Sequence, residues 1–251
     1  MIDQIANALM YLLNIMKGLT GSYAWALILL AALVKLVFFS PTQKQFQTMK
    51  DMQLIQPEIK KLQELYKDEP EKLQKEQLLL FRKHKINPLG GCLPMLIQLP
   101  VLWAIFVVIR NHTAVFMDSG FLWIGSHLSH MYPKYLATSL ATADIPLLLM
   151  YGYSMYVTSK MSATDTQSPS QQMMFTLMLP IVFTYMMYKW NLPCALVLYW
   201  LVYNIFSIIH QSYMMRKPSP VRIVKSEPEE PGETEGAGKR KSRSRKRRKA
   251  E

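Results

Sequence analysis

Apolar residues in this chain come in long blocks. The first runs from Ser22 to Phe39 and holds one charge, Lys35. Four more follow, at about 92–111, 145–161, 173–190 and 192–210. A helix needs roughly 17–25 apolar residues to cross a ~30 Å hydrocarbon core, so several of these blocks are short for a comfortable fit. The pattern predicts an all-α polytopic membrane protein with five transmembrane helices. Ahead of them, Ile2, Ile5, Leu9, Leu12, Leu13 and Met16 share one helical face. That spacing predicts an amphipathic helix over residues 1–20, lying in the membrane interface. A short helix packed on the bundle is the other reading. "KGLTGS" ends it.

Between the first two blocks, residues 41–90 are charged and mostly basic. "TQKQFQTMKDMQLIQPEIKKLQELYK" and "EKLQKEQLLLFRKHK" are helical in composition, and "DEP" separates them. Asp68 or Glu69 can cap the second helix, and Pro70 fits its first turn. Two helices joined by a tight turn make an antiparallel hairpin. Pro57 should kink or interrupt the first of them. The loop at 112–144 contains the aromatic "FLWIGSHL". The tail over 212–251 is rich in Pro, Glu and Lys and ends in "KRKSRSRKRRK". It has too few apolar residues to bury a core and is expected to be disordered. The domains expected are therefore the helix at 1–20, a five-span core at 21–211 and the basic tail.

Charge orients the spans. The 251 residues carry a formal net charge of +12, concentrated in the hairpin and the tail. Basic segments stay in the cytoplasm. Hairpin and tail on one side require an odd number of spans, which puts the N-terminus outside and the C-terminus inside. This topology sets Cys92 and Cys194 at opposite faces, so neither a disulfide nor a metal site is implied. The opening "MIDQIANALMYLLNIMK" lacks the positive n-region and cleavage site of a secretory signal.

Enzyme motifs are missing from the sequence: there is no HExxH, GxSxG or Walker loop. A non-enzymatic protein without a cofactor is expected. The signal lies instead in polar residues inside apolar blocks: Lys35, Gln98, Thr176, Thr184 and Asn204. Lysine at a bilayer centre costs roughly 2.5–3.5 kcal/mol on insertion scales. No acidic residue lies in the core of any block to pair with it. Lys35 can snorkel to the cytoplasmic phosphates, or it can be the fixed charge of a wet cavity. Trp200, Asn204, Ser207 and Gln211 step by four, three and four along one helical face. A polar face inside a membrane must meet protein or water. It serves either helix packing or a cavity lining.

The stretch "LILLAALVKLVFFSPTQKQFQTMKDMQLIQPEIKKLQELYKDEPEKLQKEQLLLFRKHKINPLGGCLPMLIQLP" closely resembles the YidC/Oxa/Alb family of membrane protein insertases. So do "FLWI" and "LPCALVLYWLVYNIFSIIHQ". The resemblance covers roughly residues 21–211 and looks like the short bacterial form, without a large periplasmic domain. It implies a five-helix core around a groove open to cytoplasm and lipid but closed outside, in the bacterial cytoplasmic membrane. It implies a positive charge in the first span, usually Arg and here Lys35, which keeps the charge but not the bidentate fork. Gln98, Gln172, Trp200 and Asn204 become candidates for groove lining, with Gln171 competing with Gln172. Where many relatives have Pro-Ala-Gly, this chain has Pro193-Cys194-Ala195.

The function so implied is insertion of nascent hydrophobic segments, alone or with the Sec translocon. Lys239, Arg240, Lys241, Arg243, Arg245, Lys246, Arg247, Arg248 and Lys249 form a basic cluster without interleaved aromatics. It suits ribosomal RNA phosphates or anionic lipids. A small channel or transporter and a ribosome anchor without insertase activity are the alternatives.

Overall fold

The computed structural model describes residues 2–87, 93–162 and 172–217. Residues 88–92 with Cys92, residues 163–171 with Gln171, and the tail beyond Lys217 lie outside the described residues. Within them the chain is all-helical: α1 (Ile2–Thr20), α2 (Tyr23–Val37), α3 (Phe39–Leu54), α4 (Gln56–Leu65), α5 (Pro70–Lys83), α6 (Leu93–Asn111), α7 (Thr113–Met117), α8 (His127–Met131), α9 (Ile145–Ser162), α10 (Met174–Lys189) and α11 (Cys194–Arg216). The first turn of α10, Met174–Met178, is π-helical.

The Leu- and Ala-rich α2 is built from strong helix formers and starts at Ser22, whose hydroxyl accepts from the Ala24 amide. Gly21 takes a positive φ of 79°, which glycine adopts without steric cost, and the chain bends there by 115° between α1 and α2. The bend lays α1 across α2 and α6. Its buried face is Ala6, Met10, Leu13 and Met16, while Ile5 is 53% exposed. Leu9, Leu12, Leu13 and Met16 of the face that the sequence pattern selects do pack, while Ile5 stays out and Ala6 and Met10 join the buried side. Tyr11, Ile15 and Leu19 stay exposed with Ile5 on the other side. One helix therefore presents two apolar faces, one to the bundle and one outward.

The rod begun by α2 does not stop at the charged segment. Phe38 donates to the Val34 carbonyl and accepts from Thr42, so the hydrogen-bond ladder runs on into α3. Pro41 falls in the first turn of α3, where its missing N–H costs little. Thr42, Phe46 and Met49 recur at helical spacing and are buried. Phe46 and Met49 pack on Met214 of α11. This contact carries α11 through Arg216, past the 210 at which its apolar block ends. The chain then breaks at Ile55, with Pro57 in the first turn of α4. Helices α4 and α5 pack together through Ile55, Ile59, Leu80, Phe81 and Ile86. Glu58 Oε2 lies 3.2 Å from His84 Nε2 across the pair. Pro70 opens α5 behind Glu69, whose side chain makes no capping bond and pairs instead with Lys72.

Helix α11 is the centre of the bundle, against α9, α2, α6 and α3, and α10 packs on α9. A Cβ on Gly152 of α9 would come within 2.6 Å of Thr184 Oγ1 on α10. Among the described residues, α11 alone is by its own length and composition able to cross a membrane. The apolar helices Gln98–Asn111 and Met174–Lys189 are shorter.

At one end of the bundle the 112–144 loop folds over the helix termini. The buried Asp144 carboxylate accepts from Trp123 Nε1, the Ala137 amide and, at 2.8 Å, the Leu147 amide. The last contact caps α9 at the end where a helix dipole favours negative charge. The loop in turn supplies the carbonyls that α11 needs at its own start: Cys194 N donates to Thr142 O at 2.8 Å and Ala195 N to Leu140 O at 2.9 Å. Free amides at that terminus are thereby satisfied, and Cys194 Sγ adds a contact to Ser139 O.

Candidate functional site: a lysine-bearing cavity

Inside the bundle, α2, α3, α6, α9, α10 and α11 enclose a partly open cavity of about 360 Å³. Lys35, Gln98, Trp200 and Asn204 all line it. Lys35 is only 7% exposed. Its ammonium donates to Ser207 Oγ at 2.8 Å, and Ser207 Oγ donates in turn to the Tyr203 carbonyl at 2.9 Å. The charge also faces the rings of Tyr203 and Phe46, 5.0 and 5.5 Å from their centroids, within the range of a cation–π contact. Among the described residues no carboxylate pairs with Lys35 and Ser207 is its one hydrogen-bond partner. An ammonium has three protons to give. A positive charge so placed, next to open volume, is set to receive an anionic or polar group.

The polar stripe of α11 is divided among neighbours. Asn204 Nδ2 donates to Ser154 Oγ at 3.2 Å and Gln211 Nε2 to Ser162 Oγ at 3.4 Å, both on α9. Trp200 is held between Tyr151 and Phe183. Gln98 is turned to Tyr199, donating to its hydroxyl at 3.0 Å. Packing and lining are thus both true of Gln98, Trp200 and Asn204, whereas Gln211 packs on α9 without lining the cavity. Gln172 is half-buried and is not among the residues lining the cavity.

The lining is polar towards one end, with Thr42, Thr158, Ser159, Ser162 and Ser207, and aromatic towards the other, with Tyr151, Phe183 and Trp200. The aromatic end points to the Asp144 loop, the polar end to α3 and the last turns of α9 and α11. Thr42 and Phe46 were legible as candidates from their spacing with Met49, but their place among charged residues assigns them to the hairpin. Ser154 had no such signal. A larger pocket of about 500 Å³ between α9 and α10 is almost wholly apolar and carries no charge.

Fold and cavity together define an all-helical bundle built around a lysine-bearing chamber with a few polar side chains in a mostly apolar lining. The chain belongs to the 60Kd inner membrane protein family, whose model matches residues 15–220. Among curated relatives, the membrane protein insertase YidC of Pelobacter propionicus is 39% identical over 212 residues, covering 84% of this chain and 38% of that protein. The YidC of Geobacter sp. (strain M21) is 38% identical over 210 residues, covering 84% and 36%. That of Geobacter sulfurreducens is 34% identical over 215 residues, covering 86% and 38%. This chain spans a little over a third of the length of these relatives. In fold it is similar to a crystal structure of an active YidC insertase with the first transmembrane domain resolved. The TM-score is 0.64 at 24% identity, over 82% of this chain and 45% of that one.

Proposed function

We propose that this chain is a membrane protein insertase whose working site is the Lys35 cavity. The observation that carries the reading is a buried ammonium without a carboxylate partner, facing volume that a polar segment could fill. In this mechanism a nascent hydrophobic segment arrives with a short polar or acidic flank. The flank enters the polar end of the cavity, where Lys35 attracts it at an effective dielectric well below that of water. Thr42, Thr158, Ser159 and Asn204 replace part of its hydration. The apolar segment then leaves sideways into lipid, driven by removal of its apolar surface from water. No step needs a nucleotide or cofactor.

In this reading α2, α6, α9, α10 and α11 are the five spans, α1 lies in the interface, and the α4–α5 pair and the basic tail face the cytoplasm. The Asp144 loop is the outer seal. The cluster Lys239–Lys249 recruits through phosphates, of the ribosome or of anionic lipid. Membrane placement is supported by the outward apolar surface of α10, where Met174, Phe175, Leu177, Met178, Ile181 and Val182 are exposed. A contiguous apolar face of this kind is not left to water.

Reconstitution tests the function. Purified protein in liposomes should insert a small membrane protein with an acidic flank, read as protease protection, while empty liposomes should not. Equal protection in both would overturn the proposal. Topology is tested separately. With Cys92→Ser and Cys194→Ala as background, Lys134→Cys should react with an impermeant thiol reagent on intact cells and Lys72→Cys should not. The reverse pattern would overturn the orientation.

A further inference from the structure

Lys35 also lines a second groove, on another face of α11. This groove, of about 390 Å³, runs between the α2–α3 rod and α11. Ala32, Leu36 and Phe39 form one wall and Phe206, Ile209 and Tyr213 the other. The two rows have matched helical spacing, which makes a slot about two turns, or roughly 10 Å, long. The atoms its walls expose are carbon. Such a slot accepts a polymethylene chain without stripping water from any polar group.

The end of the slot identifies the rest of the occupant. Lys217 Nζ sits 4.4 Å from the centroid of the Tyr213 ring, and Arg216 beside it is exposed. No carboxylate pairs with either among the described residues. Carbonyls at a helix C-terminus ordinarily repel an anion, but here Lys50 donates to the Met214 and Met215 carbonyls. His210 closes the floor of the slot. It is 8% exposed, stacked on Phe39 at 4.5 Å and edge-on to Phe46 at 5.1 Å. Neither of its ring nitrogens has a hydrogen-bond partner. Both nitrogens are turned away from the slot, so His210 presents only ring carbon to it.

We propose that the groove between α2 and α11 binds one anionic phospholipid: an acyl chain in the slot and the phosphate on Arg216 and Lys217. The inference rests on the membrane placement of the insertase reading but not on insertion itself. A lipid in the slot backs the wall behind Lys35. It closes the route by which that side chain could reach leaflet phosphates, and so holds the ammonium towards the cavity.

Native mass spectrometry and thermal unfolding of the detergent-purified full chain test this. Dioleoyl phosphatidylglycerol should be retained and raise the melting temperature, dioleoyl phosphatidylcholine far less, and inorganic phosphate not at all. Arg216→Gln with Lys217→Gln removes two cations worth about 1 kcal/mol each near an anionic headgroup, so phosphatidylglycerol retention should fall roughly tenfold or more. Both positions are exposed, so folding is not at stake. Ala32→Phe, which fills the slot, should lose the lipid as well. Equal retention of the two lipids, undiminished retention by the double variant, or equal stabilisation by phosphate alone would each overturn the site. A chain that inserts substrate yet retains no phosphatidylglycerol also refutes it. One that retains the lipid but inserts nothing refutes the insertase reading instead.

Discussion

Lys35→Leu and Lys35→Glu should abolish insertion of acid-flanked segments, while Lys35→Arg retains it. Two opposite charges about 5 Å apart attract by about 3 kcal/mol at an effective dielectric near 20, which corresponds to a rate effect on the order of a hundredfold. Lys35→Glu turns that attraction into repulsion, with Ser207, Tyr203 and Phe46 offering the new carboxylate little compensation. A substrate with a neutral flank supplies the control, since it should be inserted at similar rates by all four proteins. The measurement is protease-protected substrate formed per minute in liposomes. Unchanged insertion of acid-flanked substrate by Lys35→Glu would remove the charge from the mechanism.

The largest loss of stability is expected at Asp144. Asp144→Ala takes away the acceptor from Trp123 Nε1 and from the Ala137 and Leu147 amides. A buried donor left unpaired costs about 1–3 kcal/mol, so the variant should lose on the order of 3–5 kcal/mol in total. Asp144→Asn keeps one acceptor oxygen but sets an NH2 against the same donors, and should fall in between. Tryptophan fluorescence melts in detergent read the loss. The damage should also reach α11, because the loop that Asp144 organises supplies the carbonyls for the Cys194 and Ala195 amides. A melting temperature unchanged in Asp144→Ala would mean that the loop is held by other contacts.

Much of this was legible in the sequence, for identifiable reasons. The apolar blocks and Pro57 and Pro70 placed most helices, because block length and proline geometry are local properties. Lys35, Gln98, Trp200 and Asn204 were legible because a polar residue in an apolar block is conspicuous. They come together in one cavity, and the resemblance to insertases named them together beforehand. Gln172 was named by the resemblance alone and is not among the residues lining it. What the pattern misses depends on which neighbour a face meets. The packed face of α1 is chosen by contact with α2 and α6, and a broad apolar surface does not specify which part will be covered. Thr42 and Phe46 are hidden among charges although their spacing is correct. The Asp144 network joins residues 123, 137, 144 and 147 through loop geometry, which no periodicity announces.

Helices α2 and α3 follow one another without a loop, because Phe38 N bonds to Val34 O and Thr42 N to Phe38 O across the junction, although Pro41 gives no N–H to the ladder. Lys35 sits one turn before Phe38, and α4 and α5 are attached at the far end of α3. Between that helical pair and the chamber lie the break at Ile55 and the junction at Phe38. The Phe46–Met49–Met214 contact is where α3 is fastened to α11, on the same pair of helical runs that carries the Lys35–Ser207 bond, so a substitution that loosens it acts on the chamber from the wall that faces the cytoplasm in the proposed topology.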